Sequence, residues 1–400
     1  MDATPQPLAF KDPNFGVAEQ PPLRLALLPP ETVQSARRDG SVANALIEDL
    51  TISLCANRTV SIVAPYTAER IQASKDKAAV LQQYNVVYAL DTKRTEDSLF
   101  VQLIFMPADE VVWATRFKLD ANAIVEQRTV ISTAIQRSII DKISVSTEIA
   151  GDFRQRPEAY YAYLHGLTGL STLTLPSIRK ARKYFKQALE DERGFAPALA
   201  GTARTLSMEW LLTARGDNEL LLHAERLAQT AITKHGPSAG ALKELGVSQL
   251  YLGKIDESLE ALSEAEAISP HYADALYSHA DSLVHASNPA AALAKITSAI
   301  ALNPIPPDTY FWTAAGASYF LGEYQQALGY IDRMRDSRPA SRLAAASWGM
   351  LGEVTKARAC RLRVLKDNPS FDLNLWLEMI PHKENWQTEL YRDGLLRAGF

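Results

Sequence analysis

The sequence predicts two unlike halves: an α/β domain with a mixed sheet, followed by an all-α solenoid of helix pairs. Three observations predict it. Pro270, Pro304, Pro339 and Pro369 recur at intervals of 34, 35 and 30 residues, each closing a unit of two helices. Seventeen residues before three of these prolines stand Gly253, Gly322 and Gly352, and twelve before all four stand Ser258, Ala292, Ala327 and Ala357. A small residue is needed where two packed helices approach closely, and a glycine where the turn between them is tight. Ahead of this array, residues 23–150 alternate strand and helix signals, which argues for helices packed on a sheet.

The elements follow in order. Residues 1–22 hold Pro5, Pro7, Pro13, Pro21 and Pro22 without a hydrophobic period, so they are expected to be an extended linker or tail. Leu23–Leu28 is a short apolar run stopped by Pro29-Pro30, as a buried strand would be. Asp39-Gly40-Ser41 offers a turn and cap for a helix over Val42–Asn57, with Ala45, Leu46, Leu50 and Leu54 on one face. Val60–Val63 reads as a β-branched strand ending at Pro65, and Lys75–Gln83 as a second helix. Strands are expected at Val86–Leu90, Leu99–Phe105 and Val111–Phe117, with Asp109-Glu110 as a hairpin turn between the last two. A long helix over Ala121–Ala150 carries Ile124, Ile131, Ile135, Ile139 and Ile143 as a stripe, and Arg156-Pro157 marks the boundary.

Residues 158–370 read as about six helix pairs. Ala224, Ala228 and Ala231 fill the small-residue positions of one earlier unit, and Ala181, Phe185 and Ala188 those of another. The step from Ala181 to Ala224 is 43 residues, about nine too long, and Arg215-Gly216-Asp217-Asn218 suggests an enlarged turn. The last interval is four residues short, so the first helix of that unit is expected to lack about one turn. Residues 371–400 bring Trp376, Trp386 and Tyr391 without a further repeat, as a terminal cap would.

Composition narrows the function. The chain has 400 residues, 47% apolar and 22% charged, with net charge −4, as in an ordinary globular protein without a polyanion-binding excess. Cys55 and Cys360 lie in apolar helical patterns, which fits buried thiols in a reducing compartment. No apolar run is long enough to span a bilayer, and the N-terminus lacks a signal-peptide pattern; a cytoplasmic location is expected.

No nucleophile elbow, dinucleotide fingerprint or phosphate loop occurs, so no catalytic residue and no cofactor is assigned. Glu48-Asp49 and Glu96-Asp97 fall on expected polar faces or turns, where sequential carboxylates point apart and make a poor acid–base couple. His271, His279 and His285 are spaced by eight and six residues, which does not place ligand pairs on one helix face; no metal is expected. Arg179, Lys180, Arg182, Lys183 and Lys186 form a basic run opposite Ile178, Ala181, Phe185 and Ala188. That is the solvated side of a helix, and direct nucleic-acid binding is not expected. Trp113 reads as a packed sheet residue before it reads as a cleft wall.

With these residues in view, the array resembles the tetratricopeptide repeat (TPR) family over about 240 residues, with Leu242, Leu245, Gly246, Gly253, Ile255 and Pro270 carrying the best match. The preceding domain is similar to the TolB-like amino-terminal domain through Leu25-Ala26-Leu27-Leu28-Pro29, Leu46–Leu54, Val87-Tyr88-Ala89-Leu90 and Trp113-Ala114-Thr115-Arg116-Phe117. It departs from that pattern at Pro30 and Asp91. The resemblance implies a non-enzymatic bacterial regulator or sensor in transcription or signalling, working with a DNA-binding or cyclase effector expected ahead of the Pro-rich start. The alternatives are an accessory module of a nucleotide cyclase and a stand-alone interaction adaptor. It also implies a concave groove for a protein or peptide, lined by Lys243, Tyr251, Asp274, Tyr277, Asp281, His285, Trp312, Tyr319 and Phe320. Rings there offer contact area at low entropic cost and charges set register, although Tyr251, Trp312 and Tyr319 equally suit packing between neighbouring helices.

Overall fold

The computed structural model describes residues 23–30, 39–57, 60–94, 98–118, 123–139, 157–170, 174–213 and 217–400. The expected linker 1–22, the pair Glu96-Asp97, Ile143 and residues 214–216 of the expected enlarged turn lie outside them.

The first half is a five-stranded sheet in the order β2-β1-β3-β4-β5. β1 (Leu23–Leu27) pairs in parallel with β2 (Val60–Ile62) and β3 (Tyr88–Arg94). β4 (Ser98–Phe105) and β5 (Glu110–Lys118) then add antiparallel, so the sheet is mixed. Side chains alternate across a strand. Leu25 and Leu27 of β1 therefore join the core under α1 (Asp39–Leu54) and α4 (Ile124–Ile139). Ala26 and Leu28 face the opposite side, with Ala68, Ile71 and Leu81 of α2 (Pro65–Gln72) and α3 (Lys77–Gln83).

Two boundaries differ from expectation for stated reasons. Pro65 opens α2 instead of merely ending a strand, because a helix's first turn needs no N–H from that residue. α1 begins at Asp39, so its expected capping residues lie inside the helix. Along α4, Ile124, Ile131 and Ile135 are buried as the stripe requires.

The second half is six successive helix pairs among the described residues. They are α5/α6 (Pro157–Thr168, Leu175–Asp191), α7/α8 (Ala196–Thr213, Asn218–His235), α9/α10 (Ala239–Tyr251, Ile255–Ile268), α11/α12 (Ala273–His285, Pro289–Leu302), α13/α14 (Asp308–Phe320, Tyr324–Asp332) and α15/α16 (Ser341–Met350, Val354–Asp367). Two further helices, α17 (Leu373–Met379) and α18 (Asn385–Arg397), end the chain. Ala181, Ala224, Ser258, Ala292, Ala327 and Ala357 are all fully buried, so the small residues do sit where helices cross. Ser258 is tolerated there because its Oγ donates to the Gly246 carbonyl at 2.7 Å.

Eight of the nine extra residues lie in helices: five in α7, and three in the part of α8 that precedes Ala224. α7 has 18 residues against 13 in α9, and α8 has 18 against 14 in α10. α15 has only 10, roughly one turn short of its counterparts, and a 3-10 turn at Arg338–Ala340 precedes it.

The two halves pack on each other. Asp49 of α1 accepts from Arg128 Nε of α4 at 2.9 Å and from Tyr160 Oη of α5 at 2.8 Å. Arg128 also donates to Ser53. The expectation of a solvated Glu48-Asp49 pair is thus corrected: Asp49 is buried because the repeats cover that face of α1. No helix of the described residues is long and apolar enough to cross a membrane. Cys55 and Cys360 are both buried free thiols.

Candidate functional site

The first helix of each pair contributes to the inner face of the array, and two segments from outside the repeats lie against it. The α/β domain meets the rim formed by the C-terminal end of α12 and the connections that lead into the first helices of the following pairs. The His271 amide donates to the Cys55 carbonyl at 3.3 Å, and the Ala64 amide to the Leu302 carbonyl at 3.1 Å. Thr67 Oγ1 donates to Asn303 Oδ1 at 2.6 Å and accepts from the Ile305 amide at 2.9 Å. Arg24 donates to the Ala301 carbonyl, and Arg335 to Tyr66 Oη.

Glu48 of α1 is half-buried in this interface. Burial raises its carboxyl to about 7, opposed by Arg204 and reinforced by Glu69, Asp274 and Asp49.

The opposite rim, at the C-terminal ends of α11 and α13, is covered by a strap, Pro381–Glu384, together with the first turn of α18. Five of its hydrogen bonds go to the last residues of α11 and the turn after it. His285 Nδ1 donates to the Pro381 carbonyl at 2.9 Å, and the Lys383 amide donates to the His285 carbonyl at 2.9 Å. The Glu384 amide donates to Ser287 Oγ at 3.1 Å. Gln387 is fully buried; its Nε2 donates to the Val284 carbonyl at 2.7 Å and its Oε1 accepts from Ser287 Oγ at 2.7 Å. The Lys383 amide thereby satisfies the His285 carbonyl, one of those that a helix C-terminus leaves without an intrahelical donor.

Ser287 has φ +61°, whereas Gly253, Gly322 and Gly352 hold the matching positive-φ position of the other turns (φ +75° to +79°). A left-handed conformation is unfavourable for a residue with a Cβ. Glycine would relieve that strain but would lack the hydroxyl that binds both Glu384 and Gln387.

Rings continue along this rim. Trp210 lies 5.2 Å from Tyr251, and Tyr251 6.4 Å from His285. His382 of the strap stacks on His285 at 5.8 Å and meets Phe320 edge-on at 5.6 Å, while Trp386 packs on Phe320 at 6.0 Å. Burial, reinforced by the neighbouring His285, lowers the His382 imidazole to about 4.

Of the nine residues expected in the groove, seven fall into three environments along it. Near the α/β domain, Asp274 accepts from Tyr310 Oη at 2.6 Å and Tyr277 stacks on Tyr310 at 4.8 Å. Midway, Asp281 accepts from Tyr251 Oη at 3.2 Å and Thr313 at 3.1 Å, and Trp312 is 36% exposed. His285 and Phe320 lie beneath the strap. Lys243 and Tyr319 are instead interior: Lys243 pairs with Glu244 at 2.5 Å, and Tyr319 Oη donates to the Leu390 carbonyl at 3.0 Å. Lys243 was expected in the groove, and Tyr319 either there or packed between neighbouring helices; Lys243 is covered beside the Tyr272 ring and Tyr319 by the Leu390 segment.

Elsewhere, Arg179 and Arg182 of the basic run pair with Glu209, leaving Lys180, Lys183 and Lys186 exposed. Trp113 is partly buried against the core of the sheet.

No family model and no curated protein matches the chain. Among solved structures it is similar to PilF of Pseudomonas aeruginosa, with 19% identity over 54% of this chain and 95% of that one and a TM-score of 0.41. A thermophilic TPR protein of Thermus thermophilus aligns at 18% identity over 48% and 98% of the two chains, with a TM-score of 0.39. A tetratricopeptide repeat protein of Parabacteroides merdae aligns at 12% identity over 69% and 96%, with a TM-score of 0.38.

Proposed function

We propose that this chain is a non-enzymatic regulatory scaffold that binds a protein or peptide on the inner face of its helical array. One observation carries the reading: the two rims of that face already bind polypeptide. They hold the α/β domain on one side and the strap on the other through backbone hydrogen bonds and ring contacts, the means by which extended peptides are recognised. Between the two rims Trp312 remains exposed, next to the Tyr251–Asp281–Thr313 hydrogen bonds. The likeness to the sensing halves of bacterial regulators supports a role in transcriptional or signalling control, with the output supplied by an effector.

Affinity purification of the full chain from its host, with mass spectrometry of the proteins that co-elute, tests this reading. A specific partner is expected, and Trp312→Ala should weaken its capture at least tenfold while leaving the circular dichroism unchanged. Undiminished capture by that variant sinks the inner-face reading. A neighbouring gene for a winged-helix protein supports the transcriptional role, and one for a cyclase moves the chain to the accessory-module role.

A further inference from the structure

The strap has the properties of a bound ligand rather than of a repeat. It contacts α11 chiefly through backbone groups and the side chains of His285 and Ser287, a pattern that another extended peptide can reproduce. Its side chains Lys383, Glu384 and Asn385 are exposed, so His382 and the half-exposed Trp386 supply most of the apolar contact that holds it down. The Lys383–Asp256 ion pair lies in solvent, where such pairs contribute little.

The strap lies between two anchored flanks. Before it, Leu377 of α17 is buried and Leu373, Trp376 and Ile380 pack against the core of the last repeat, with Trp376 5.2 Å from Tyr391. After it, Tyr391, Leu395 and Ala398 are buried within the core of the last repeat. The strap can therefore leave the rim while the rest of α18 stays in place. Ser287 adds an independent argument. The one turn among the four that gives up glycine is the turn whose hydroxyl holds the strap.

We propose that residues 381–387 are an internal ligand of this rim, and that the partner is a peptide of the same chemistry, extended at its ring and entering a helical turn at its carboxamide, which displaces them. Its recognition elements are a backbone carbonyl for His285, a ring to sit between His285 and Phe320, a neighbouring cation for Asp256, and a carboxamide five residues after the ring for Ser287 and Val284. The proposal rests on the inner-face reading and names its ligand class and its control. A tethered segment acts at an effective concentration near the millimolar range, so it suppresses weak competitors and yields to tighter ones.

The test uses the full chain and a fluorescein-labelled synthetic peptide of residues 380–391. In the His382→Ala/Gln387→Ala variant the strap loses its ring and carboxamide while the receiving surface stays intact. This variant should bind the peptide at least ten times more tightly than the unaltered chain. Its Lys383 and Glu384 amides should exchange with deuterium at least ten times faster. Adding Ser287→Gly, the residue found at the matching position of the other turns, should abolish that gain. Equal binding to both chains, no binding to either, or unchanged exchange overturns the proposal. Failure to recover a cellular partner bears on the proposed function and leaves this result standing.

Discussion

Ser287 Oγ donates to Gln387 Oε1 at 2.7 Å, joining a strained turn after α11 to the first turn of the last helix. The bond makes one residue answer to two requirements. The turn alone favours glycine, while the contact with the C-terminal segment needs a hydroxyl.

Ser287→Gly should therefore separate local from global stability. Relief of the left-handed backbone is worth roughly 1–2 kcal/mol, and the lost hydrogen bonds cost about as much. The urea midpoint should move little, while the amides of Lys383 and Glu384 lose protection in hydrogen exchange. A large fall in the midpoint with unchanged protection contradicts this account.

Asp49→Ala should destabilise the chain much more. It strands Arg128 in the core and removes the acceptor of Tyr160, breaking a buried ionic network that ties α1, α4 and α5 together. Losing one partner of such a pair costs about 3–5 kcal/mol. Chemical denaturation followed by circular dichroism measures it, and a loss under about 1 kcal/mol would falsify the assignment of that network as a junction between the halves.

Glu48 makes the interface between the halves sensitive to rising pH. Its folded value, about 7, lies above the unfolded value of 4.5, with burial as the main cause. Above 4.5 the unfolded chain releases this proton first, so stability falls as pH rises towards 7, with a slope of at most about 1.4 kcal/mol per pH unit. Arg204 opposes the shift, whereas Glu69, Asp274 and Asp49 strengthen it. In Glu48→Gln this component of the slope should vanish from urea titrations between pH 4.5 and 7.

His382 acts in the other direction. Its folded value of about 4 lies below the ordinary 6.5, because burial and His285 disfavour the imidazolium. Its contribution to stability is complete above pH 6.5 and is lost as pH falls towards 4, where the unfolded chain takes up the proton more readily. His382→Phe keeps a ring between His285 and Phe320 and removes the titration. Strap amides of this variant should retain protection at pH 5, where those of the unaltered chain lose it.

Much of the architecture was legible in one dimension because its causes are local. Prolines, positive-φ glycines and small residues recur with the repeat since each unit solves the same close-packing problem. Alternation along β4 and β5 betrayed the hairpin for the same reason. The extra residues between Ala181 and Ala224 were countable, yet their position was not, because lengthening a helix and enlarging a turn leave the same spacing.

The groove was legible only as a set of positions. Repeat register placed His285 and Phe320 on the inner face, but it could not show that Pro381–Gln387 lies over them, nor that Lys243 and Tyr319 are interior. Ser287, standing where three other turns have glycine, was the available signal for the strap.

The sequence by itself determined the order of the two halves and the helix-pair repeat, since spacing and residue size act through near neighbours. Only the tertiary structure decided what covers the rims of the array. Contacts such as Ser287 with Gln387, or Thr67 with Asn303, depend on how segments distant in the chain pack, and no local pattern encodes that.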